Sequence, residues 1–438
     1  MTNDIIKDPV CGMTVQPGRE LTVFYDGQTF SFCSEFCRDT FLEHPERYVT
    51  ALVTSSYDEA KENRRIAYFS KEWDFTGVRN RCVFTTHTPV PAGHDQFGYE
   101  LVQRLLGPAV PLSILQMLAG QDRLNMTRLG LNLSRYVNGV AKKHEEVTQA
   151  MFPGYSIHHI TNGVHSWTWT CDSFKALYDR HIPGWGNDPS MLRHAISIPT
   201  QEIWQAHVTA KTRLLTLIKE RSNRLLSPDT LTIGFARRAT LYKRADLLFA
   251  DVHRLLEIAQ QAGPVQVVFA GKAHPKDTPG KEVIRHLFAV ARQVRDQLTV
   301  VYLENYDMEL AKLLISGVDL WLNTPQRPLE ASGTSGMKAA HNGVPSFSVL
   351  DGWWMEGAIE GVTGWSIGSR ETEPSAGDAV NRQDAQDLYQ KLHDVIVPLF
   401  YRDRERWIEI MRHAIALNAS YFNTHRMVQQ YVTNAYLP

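Results

Sequence analysis

Residues 231–245 read LTIGFARRATLYKRA, in which a short apolar run leads directly into two arginines and a turn. Four more apolar runs follow along the chain, VQVVFAG, LTVVYLEN, VDLWLN and VPSFSVL. Amphipathic stretches such as 245–260 and 281–295 separate them. Continuous apolar strands with helices between them are typical of a parallel sheet covered on both faces. The sequence therefore predicts an α/β fold with a doubly wound, Rossmann-like sheet that binds ligands at the carboxyl ends of its strands.

The composition of the whole chain limits its class. Its 438 residues suggest two or three domains, and 43% hydrophobic and 21% charged residues are ordinary for a globular protein. A formal net charge of −1 gives no electrostatic reason to expect nucleic acid or a membrane surface as a partner. Pro108 and Pro111 break the longest apolar stretch, and the N-terminus lacks the pattern of a secretion signal. We therefore expect a cytoplasmic protein.

A second stretch, RPLEASGTSGMKAAHNG at residues 327–343, sets one lysine among small residues between two predicted strands. The backbone N–H groups of residues 332–336 would favour an anion at a helix N-terminus. Loss of water around Lys338 would lower the pKa of its amine and make it a nucleophile. The spacing does not match a P-loop. On the motif alone, a glycine-rich turn with an incidental lysine fits equally well.

Cations and a tyrosine follow other strands of the same predicted sheet. Arg237 and Arg238 come directly after the first strand, so we expect their side chains to point into the ligand cleft. Guanidinium groups in such a place bind oxyanions bidentately. Lys243 follows in the next turn, and Tyr306 follows the strand LTVVYLEN. A solvated charged face is the alternative for the cations. The convergence of strand ends predicts one site for phosphate groups.

Taken together, these motifs resemble the α-glucan phosphorylases, particularly their short bacterial and archaeal branch. The resemblance covers roughly residues 64–438 and also rests on SRYVNGVAKKHEEV, ITNGVHSWTW, FAGKAHPKD and SVLDGWWMEG. It implies a GT-B-like fold and phosphorolysis of terminal α-1,4-linked glucose of glycogen or maltodextrin by inorganic phosphate, giving glucose 1-phosphate. A nucleotide-sugar glycosyltransferase would share the fold but would not need Lys338 in this context.

The resemblance also implies residue roles. Lys338 would carry pyridoxal phosphate as a Schiff base, and the 5′-phosphate of the cofactor would act as acid and base. Arg238 would bind the substrate phosphate, and Lys243 would lie between the two phosphates. Other cofactor contacts would come from Arg237, Tyr306, Thr334, Ser335 and Gly336. Glucose would be bound by Glu330, Ser332, Gly333 and Asn162. A helix cap for Glu330 and a core position for Tyr306 are the structural alternatives.

The resemblance breaks near residues 64–94. RRIAYFSKEW at 64–73 resembles the opening strand of the family's N-terminal domain, and RCVFTTHTPVPAGH at 81–94 one of its last strands. Only DFTGVRN lies between them, so we expect a truncated N-terminal domain. A missing wall would open the cofactor pocket to water and weaken its charged contacts. The alternative function is therefore a catalytically impaired protein that binds glucan or metal. A homo-oligomer or a partner chain would then cover the missing wall.

The first 50 residues read as a small α+β module. LTVFYDGQTFSFC predicts two strands around a turn at residues 26–27, followed by a helix. Cys11, Cys33 and Cys37 suit a thiolate metal site better than a disulfide framework. The stretch resembles the YHS domain, a metal-associated module, and three thiolates with Met13 nearby suit zinc or copper(I) as the ion. A structural cysteine cluster is the alternative.

These interpretations give a domain plan. We expect a YHS module at 1–50, a linker at 51–63, a shortened phosphorylase N-terminal domain at 64–155, a Rossmann-like catalytic domain at 156–415 and a C-terminal helix at 416–438. Apolar residues from Ala385 to Leu399 share one helical face, and Pro398 is expected to end that helix.

Overall fold

A computed structural model describes residues 8–11, 13–15, 21–25, 28–45, 73–368 and 378–437. Contacts divide the chain into an N-terminal unit, Met1–Val140 with His144–His159, and a C-terminal unit, Ala141–Lys143 with Ile160–Pro438. The expected linker at 51–63 and the expected strand at 64–73, except its last residue, lie outside the described residues. None of the helices in the described ranges is long and apolar enough to cross a membrane.

The N-terminal unit begins with a cysteine module, residues 8–45. It contains β1 (Leu21–Tyr25), β2 (Gln28–Phe32) and α1 (Glu35–Glu43). The two strands are antiparallel, with Leu21 opposite Phe32, as the sequence predicted. The turn expected at residues 26–27 lies outside the described residues. Phe32 and Phe41 are fully buried between hairpin and helix, and they form the small core of the module.

The second part of the N-terminal unit, residues 73–140 and 144–159, is mixed. A parallel sheet has the order β3-β6-β7, and β4 pairs with β5 antiparallel. The strands are β3 (Val83–Thr85), β4 (Gln96–Gly98), β5 (Arg123–Asn125), β6 (Tyr136–Gly139) and β7 (His158–His159). The helices are α2 (Phe75–Arg81), α3 (Tyr99–Leu106), α4 (Leu112–Ala119), α5 (Met126–Asn132) and α6 (Lys142–Met151), whose first two residues belong to the C-terminal unit.

The C-terminal unit is built on a six-stranded sheet in which every neighbouring pair is parallel. The strands are β8 (Leu231–Arg238), β9 (Val265–Lys272), β10 (Thr299–Leu303), β11 (Leu320–Asn323), β12 (Ser346–Val349) and β13 (Gly364–Ile367). Their order is β10-β9-β8-β11-β12-β13, the doubly wound arrangement with its reversal between β8 and β11. The predicted α/β fold with a parallel sheet is confirmed.

Helices surround this sheet. In chain order they are α7 (Ser166–Trp169), α8 (Asp172–His181), α9 (Thr200–Ser222), α10 (Val252–Gln261), α11 (Thr278–Gln293), α12 (Met308–Gly317), α13 (Thr334–Ala340), α14 (Trp354–Gly357), α15 (Asp378–Lys391), α16 (Val397–Arg402), α17 (Arg404–His413) and α18 (Thr424–Gln430). On β9, Val267 and Phe269 enter one apolar core, whereas Val268 and Ala270 enter another. Because both faces are covered, the strands read as continuous apolar runs.

The expectation that Pro398 ends a helix is wrong. After α15 the chain makes a π-helical turn at Leu392–Ile396 and continues directly into α16. Pro398 is at the start of α16, where an amide N–H has no partner inside its own helical segment. The wider turn therefore lets the proline pass without breaking the helical path.

The topology fixes where a ligand site can form. β8 ends at Arg238 and its neighbour β11 ends at Asn323, so both carboxyl ends point to the reversal of the sheet. In open α/β sheets this crevice is where ligands bind. The chain from 324 to 340, which contains α13, therefore starts beside the paired arginines.

Candidate functional site

A buried carboxylate joins two cations at the reversal of the sheet. Lys243 makes a charged hydrogen bond to Glu330, and Arg237 Nη1 lies 2.8 Å from the same Glu330 oxygen. Burial alone raises the pKa of Glu330, but the positive charges of Arg237 and Lys243 lower it by more, so it lies below its ordinary value. The structure therefore brings three predicted site residues together. The cap alternative for Glu330 is wrong, because its side chain binds cations rather than a helix end.

Lys243 is a strongly perturbed amine. It is 6% exposed, and burial, followed by the charge of Arg237, lowers its pKa to about 7. The turn that holds it is locked to β11, since Thr324 Oγ1 donates to the Lys243 carbonyl at 3.1 Å. The Gln326 N–H also donates to the Tyr242 carbonyl at 2.7 Å. The amine is thus fixed in place and changes charge near neutral pH.

Lys338 lies on α13, which starts after Gly333 in the left-handed conformation, φ +83°. Burial, followed by the charge of Arg237, lowers the pKa of its amine. The nitrogen lies 3.8 Å from the centre of the Trp169 ring, so an aromatic face stabilises its charged form. Lys338 is therefore a desolvated amine beside a guanidinium group, as a reactive lysine requires.

Two residues that support this lysine were missed by sequence reasoning. The side-chain amide of Asn342 donates to the carbonyls of Trp169 at 2.7 Å and Lys338 at 3.0 Å. Its oxygen accepts from the Cys171 N–H at 2.8 Å. These bonds hold the Trp169 segment against α13. The motif ITNGVHSWTW contained Trp169, but nothing in its spacing indicated the contact with Lys338.

Asp351 is the third missed residue. Its two oxygens accept the backbone N–H groups of Glu330 at 2.8 Å and of Gly352 at 2.9 Å. Burial raises its pKa to about 7, despite these hydrogen bonds. The Trp353 N–H also donates to the Ser332 carbonyl at 2.8 Å. The loop of Glu330 is therefore bound to the loop of Asp351 by two hydrogen bonds. Asp351 thereby positions Glu330 through the main chain.

The segment that contains Asn162 is anchored at several points. Arg426 donates to the carbonyls of Thr161 at 2.6 Å and Asn162 at 3.0 Å. The Thr161 hydroxyl donates to Glu356, just after Trp353 and Trp354. Those two tryptophans are buried, as expected of packing residues. Val164, two residues after Asn162, belongs to the apolar cluster that also contains Met337, the residue before Lys338.

The remaining predicted residues have different environments. Arg238 is exposed at the end of β8. Tyr306 is partly buried against an apolar core, and burial raises its pKa to about 12.

The predicted residues at the start of α13 have structural contacts of their own. Ser335 Oγ accepts from the Trp321 indole at 3.1 Å. A Cβ on Gly336 would lie 2.6 Å from Trp353, so packing explains this glycine. Thr334 is the first residue of α13. The assigned roles of these residues stay predictions.

The residues at this crevice fit a ligand that carries phosphate and an aldehyde. Ser332 Oγ and Asn323 Oδ1 are buried and have no hydrogen-bond partner among the described residues. Arg237 and Lys243 supply positive charge, and the amine of Lys338 is desolvated. An aldehyde needs an uncharged amine, and phosphate needs cations and donors. Pyridoxal phosphate has both groups.

The second site is a thiol cluster in the cysteine module. Cys33 Sγ lies 3.4 Å from Cys11 Sγ and 3.9 Å from Cys37 Sγ. A tetrahedral zinc ion with Zn–S bonds of about 2.3 Å spaces its sulfurs about 3.8 Å apart, so this cluster fits such an ion. Hydrogen bonds from the other two thiols lower the pKa of Cys11. The structure thus brings the three predicted metal ligands together.

Asp8 belongs to the same cluster and was missed by sequence reasoning. Its carboxylate lies within 4.8 Å of the three sulfurs. Both oxygens already accept backbone N–H groups, from Val10 at 2.8 Å, Cys11 at 3.2 Å and Cys33 at 2.7 Å. Asp8 therefore organises the loop of Cys11 against the end of β2. Its position three residues before Cys11 was the only available signal.

Fold and site together define an α/β protein with a cationic crevice at the reversal of its sheet and a desolvated lysine. The carbohydrate phosphorylase family profile matches residues 93–360, and the YHS domain profile matches residues 6–52. The chain belongs to the carbohydrate phosphorylase family.

Similar proteins agree with this assignment. Maltodextrin phosphorylase of Thermococcus litoralis is 41% identical over 85% of this chain and 49% of its own length. Glycogen phosphorylase of Aquifex aeolicus is 36% identical over 83% of this chain and 58% of its own length. Glycogen phosphorylase of Mycobacterium tuberculosis is 35% identical over 83% of this chain and 47% of its own length. The chain thus spans about half the length of these relatives.

Proposed function

We propose that this chain is a glycosyltransferase that releases glucose 1-phosphate from the end of an α-1,4-glucan, using inorganic phosphate. The observation that carries this proposal is the meeting of Lys338, Arg237, Lys243 and Glu330 at the sheet reversal of a phosphorylase-family chain. A glycosidic oxygen that leaves needs a proton, and an incoming phosphate needs positive charge. The crevice has the cations, and pyridoxal phosphate on Lys338 supplies a phosphate group that can hold and release the proton.

Different cations of the crevice bind the two phosphate groups. Arg238, exposed at the end of β8, binds the substrate phosphate, and Arg237 and Tyr306 line the cofactor phosphate. Lys243, with its pKa lowered to about 7 by burial, lies between the two anions. A bound anion raises that pKa again, so Lys243 is charged whenever phosphate is present. It then stabilises negative charge that develops between the two phosphates.

Glu330 has a second role in this proposal. Its carboxylate neutralises Arg237 and Lys243, and an incoming phosphate competes for the same cations. The released carboxylate oxygen then accepts hydrogen bonds from glucose hydroxyls, beside Ser332 and Gly333. Asn162 reaches the sugar from its anchored segment. Phosphate binding would therefore prepare the sugar site.

The test uses the full chain with maltodextrin and inorganic phosphate, and it measures glucose 1-phosphate. Lys338→Arg keeps the charge but cannot form an imine, so it should abolish release. Lys219→Arg, at an exposed position on α9, is the matched control. Borohydride reduction followed by peptide mass analysis should find the cofactor on Lys338. Absence of that adduct would overturn the proposal.

An adduct without glucose 1-phosphate release would support the alternative of a catalytically impaired phosphorylase that binds glucan. The shortened chain makes this outcome informative, since it spans about half of its relatives. Sedimentation with and without glucan would then test whether two copies of the chain associate. If release does occur, a rate per chain that rises with protein concentration would indicate a homo-oligomer rather than a separate partner chain.

The thiol cluster supports a second function, binding of one zinc or copper(I) ion per chain. Sulfur separations of 3.4 and 3.9 Å carry this proposal. The double variant Cys33→Ser/Cys37→Ser should lose the metal, whereas Cys82→Ser, outside the cluster, should keep it. Equal metal content in the double variant and the wild type would contradict the proposal.

A further inference from the structure

The thiol cluster opens into a small cavity of about 60 Å³ that has two kinds of wall. One wall is the cysteine module itself, with Cys11, Cys33 and Cys37. The other is formed by the second part of the same N-terminal unit, including Arg128 and Tyr155. A metal ion held by the three sulfurs would therefore face residues outside the YHS-like module. A cavity of this size holds an ion and at most a few waters.

A glycine lies at a close contact between the two walls. Gly154 lies directly against Ser34, and a Cβ added to Gly154 would be 2.1 Å from the Ser34 Cβ. Ser34 accepts the Cys37 N–H at 3.2 Å and caps α1, so the contact is at the turn that carries two of the thiols. Gly154 also has φ +88°, which favours glycine. Only glycine fits this approach without displacement.

Two further contacts flank the cavity. The Arg128 guanidinium lies 4.3 Å from the centre of the Phe36 ring, between Ser34 and Cys37 in sequence. The Tyr155 hydroxyl donates to Asn132 Oδ1 at 3.2 Å. Burial raises the pKa of Tyr155 to about 12, with a smaller contribution from the nearby thiols of Cys37 and Cys11. A cation and a hydroxyl of the second part thus lie close to the thiols.

We propose that the second part of the N-terminal unit is a structural wall of the metal site, which shields the thiols from water and sets the affinity for a soft cation. The proposal rests on the metal-binding function proposed above. Three thiolates and a divalent zinc ion leave one negative charge, and a copper(I) ion leaves two. Arg128 compensates part of that charge, as groups around the ligands of a metal commonly do. The YHS-like module then binds its metal ion while it packs against the second part of the unit, not as an independent domain.

The size of the module supports this reading. The described module buries only a few apolar side chains, around Phe32 and Phe41. Small domains bury little apolar surface and are marginally stable, so a metal ion or a partner adds a large share of their stability. Docking at Gly154 and Arg128 gives such a partner within the same chain. Metal binding and docking should therefore strengthen each other.

The experiment compares Gly154→Ala with Gly107→Ala. Both glycines have positive φ, but a Cβ on Gly107 meets nothing within 4 Å, so the control has the backbone strain without the clash. All proteins carry Cys82→Ser and Cys171→Ser, which leaves the cluster thiols as the reactive ones. The first readout is the rate at which an aromatic disulfide reagent modifies the thiols of metal-free protein. The second is the affinity for Zn(II) and, without oxygen, for Cu(I), measured against chelators.

We expect Gly154→Ala to react about tenfold faster and to bind metal about tenfold more weakly than Gly107→Ala, because a supporting contact of the ligands is lost. Arg128→Met keeps the apolar stem and should weaken metal binding with less effect on the thiol rate. Equal thiol rates in Gly154→Ala and Gly107→Ala, together with unchanged affinity in Arg128→Met, would overturn the proposal. Absence of metal from the wild type would instead contradict the metal-binding function, while the thiol rates still decide the docking.

Discussion

The two sites of this chain are assembled in opposite ways. In the C-terminal unit, Lys243 and Glu330 are 87 residues apart in sequence, and the reversal of the sheet brings them together. In the cysteine module, Cys33 is only 22 residues from Cys11 and four from Cys37, so a hairpin and one helical turn are enough. The cationic crevice thus depends on the whole fold, whereas the thiol cluster is formed within a short segment of the chain.

This difference has an energetic consequence. The charges of the crevice are buried, so removing one of them leaves another without its partner away from water. The thiols lie in a module with a small core of its own. Local opening of such a module needs much less free energy than global unfolding. Substitutions at the two sites should therefore affect different transitions.

The largest effect is expected from Glu330→Gln. The substitution leaves Arg237 without its buried counter-charge, and Lys243, whose pKa burial already lowers to about 7, loses the carboxylate that favours its charged form. We expect the free energy of unfolding to fall by about 3 kcal/mol. Glucose 1-phosphate release should fall about 100-fold, because an amide is a weaker acceptor for the glucose hydroxyls than the carboxylate it replaces. Urea unfolding and initial rates measure the two quantities.

Glu309→Gln is the matched control for this prediction. Glu309 also pairs with a lysine, Lys312, at 2.8 Å, but its side chain is 75% exposed. An exposed pair of this kind contributes little, so its loss should change stability by no more than about 0.5 kcal/mol. Similar losses in the two variants would show that the buried carboxylate has no special role.

Asp351→Asn should have the next largest effect. An amide can accept only one of the two N–H groups that the carboxyl oxygens accept, so one buried donor, on Glu330 or Gly352, loses its partner. We expect a loss of about 1–3 kcal/mol in acid. The loop of Glu330 should also become less ordered, so KM for the glucan should rise. Asp296→Asn, at an 85% exposed side chain, is the control.

The effect of Asp351→Asn should depend on pH. Burial raises the pKa of Asp351 from 3.8 to about 7 in the folded protein. Between these values the folded state holds a proton that the unfolded state has lost, so wild-type stability from this group falls as pH rises and levels off above about 7. The variant cannot titrate here. The stability difference should therefore be larger near pH 5 than near pH 8, and the opposite order would contradict the assignment.

The sequence predicted the crevice well for a physical reason. Strand ends of a parallel sheet meet at one edge, so Arg237 and Lys243 could be placed there from the apolar pattern alone. The glycine-rich motif at 327–343 singled out Lys338, and the family resemblance added Glu330. The resemblance did not reveal Asp351 and Asn342, because these residues act through backbone groups elsewhere in the chain, those of Glu330 and Trp169. Such contacts depend on the exact course of the chain, which periodicity does not give.

The same reasoning explains the errors elsewhere. Pro398 was expected to end a helix, since a π-helical turn before it leaves no trace in the apolar pattern. The thiol cluster was predicted from spacing, but its second wall was not. Gly154 has no side chain that could mark it as functional in the sequence. Only its close contact with Ser34 in the structure explains why a glycine is there.

Trp169→Leu should have a smaller effect. The ring face lies 3.8 Å from the Lys338 nitrogen and favours its charged form. Its loss should lower the pKa of Lys338 further than burial already does, by an interaction worth about 1 kcal/mol. The amine should then react with an aldehyde reagent at lower pH than in the wild type. A shift in the other direction would mean that the ring acts mainly by excluding water.

The smallest effect on the main fold is expected from Cys33→Ser. Cys33 contacts Cys11, Cys37 and Asp8, all within the cysteine module. Loss of the thiol should abolish metal binding and speed hydrogen exchange in α1, but the unfolding transition of the C-terminal unit should stay within about 0.5 kcal/mol of the wild type. Urea unfolding followed by tryptophan fluorescence measures this, because Trp185, Trp321 and Trp407 are buried in that unit. A large change in that transition would mean that the thiol cluster, too, depends on the whole fold, and the contrast between the two sites would not hold.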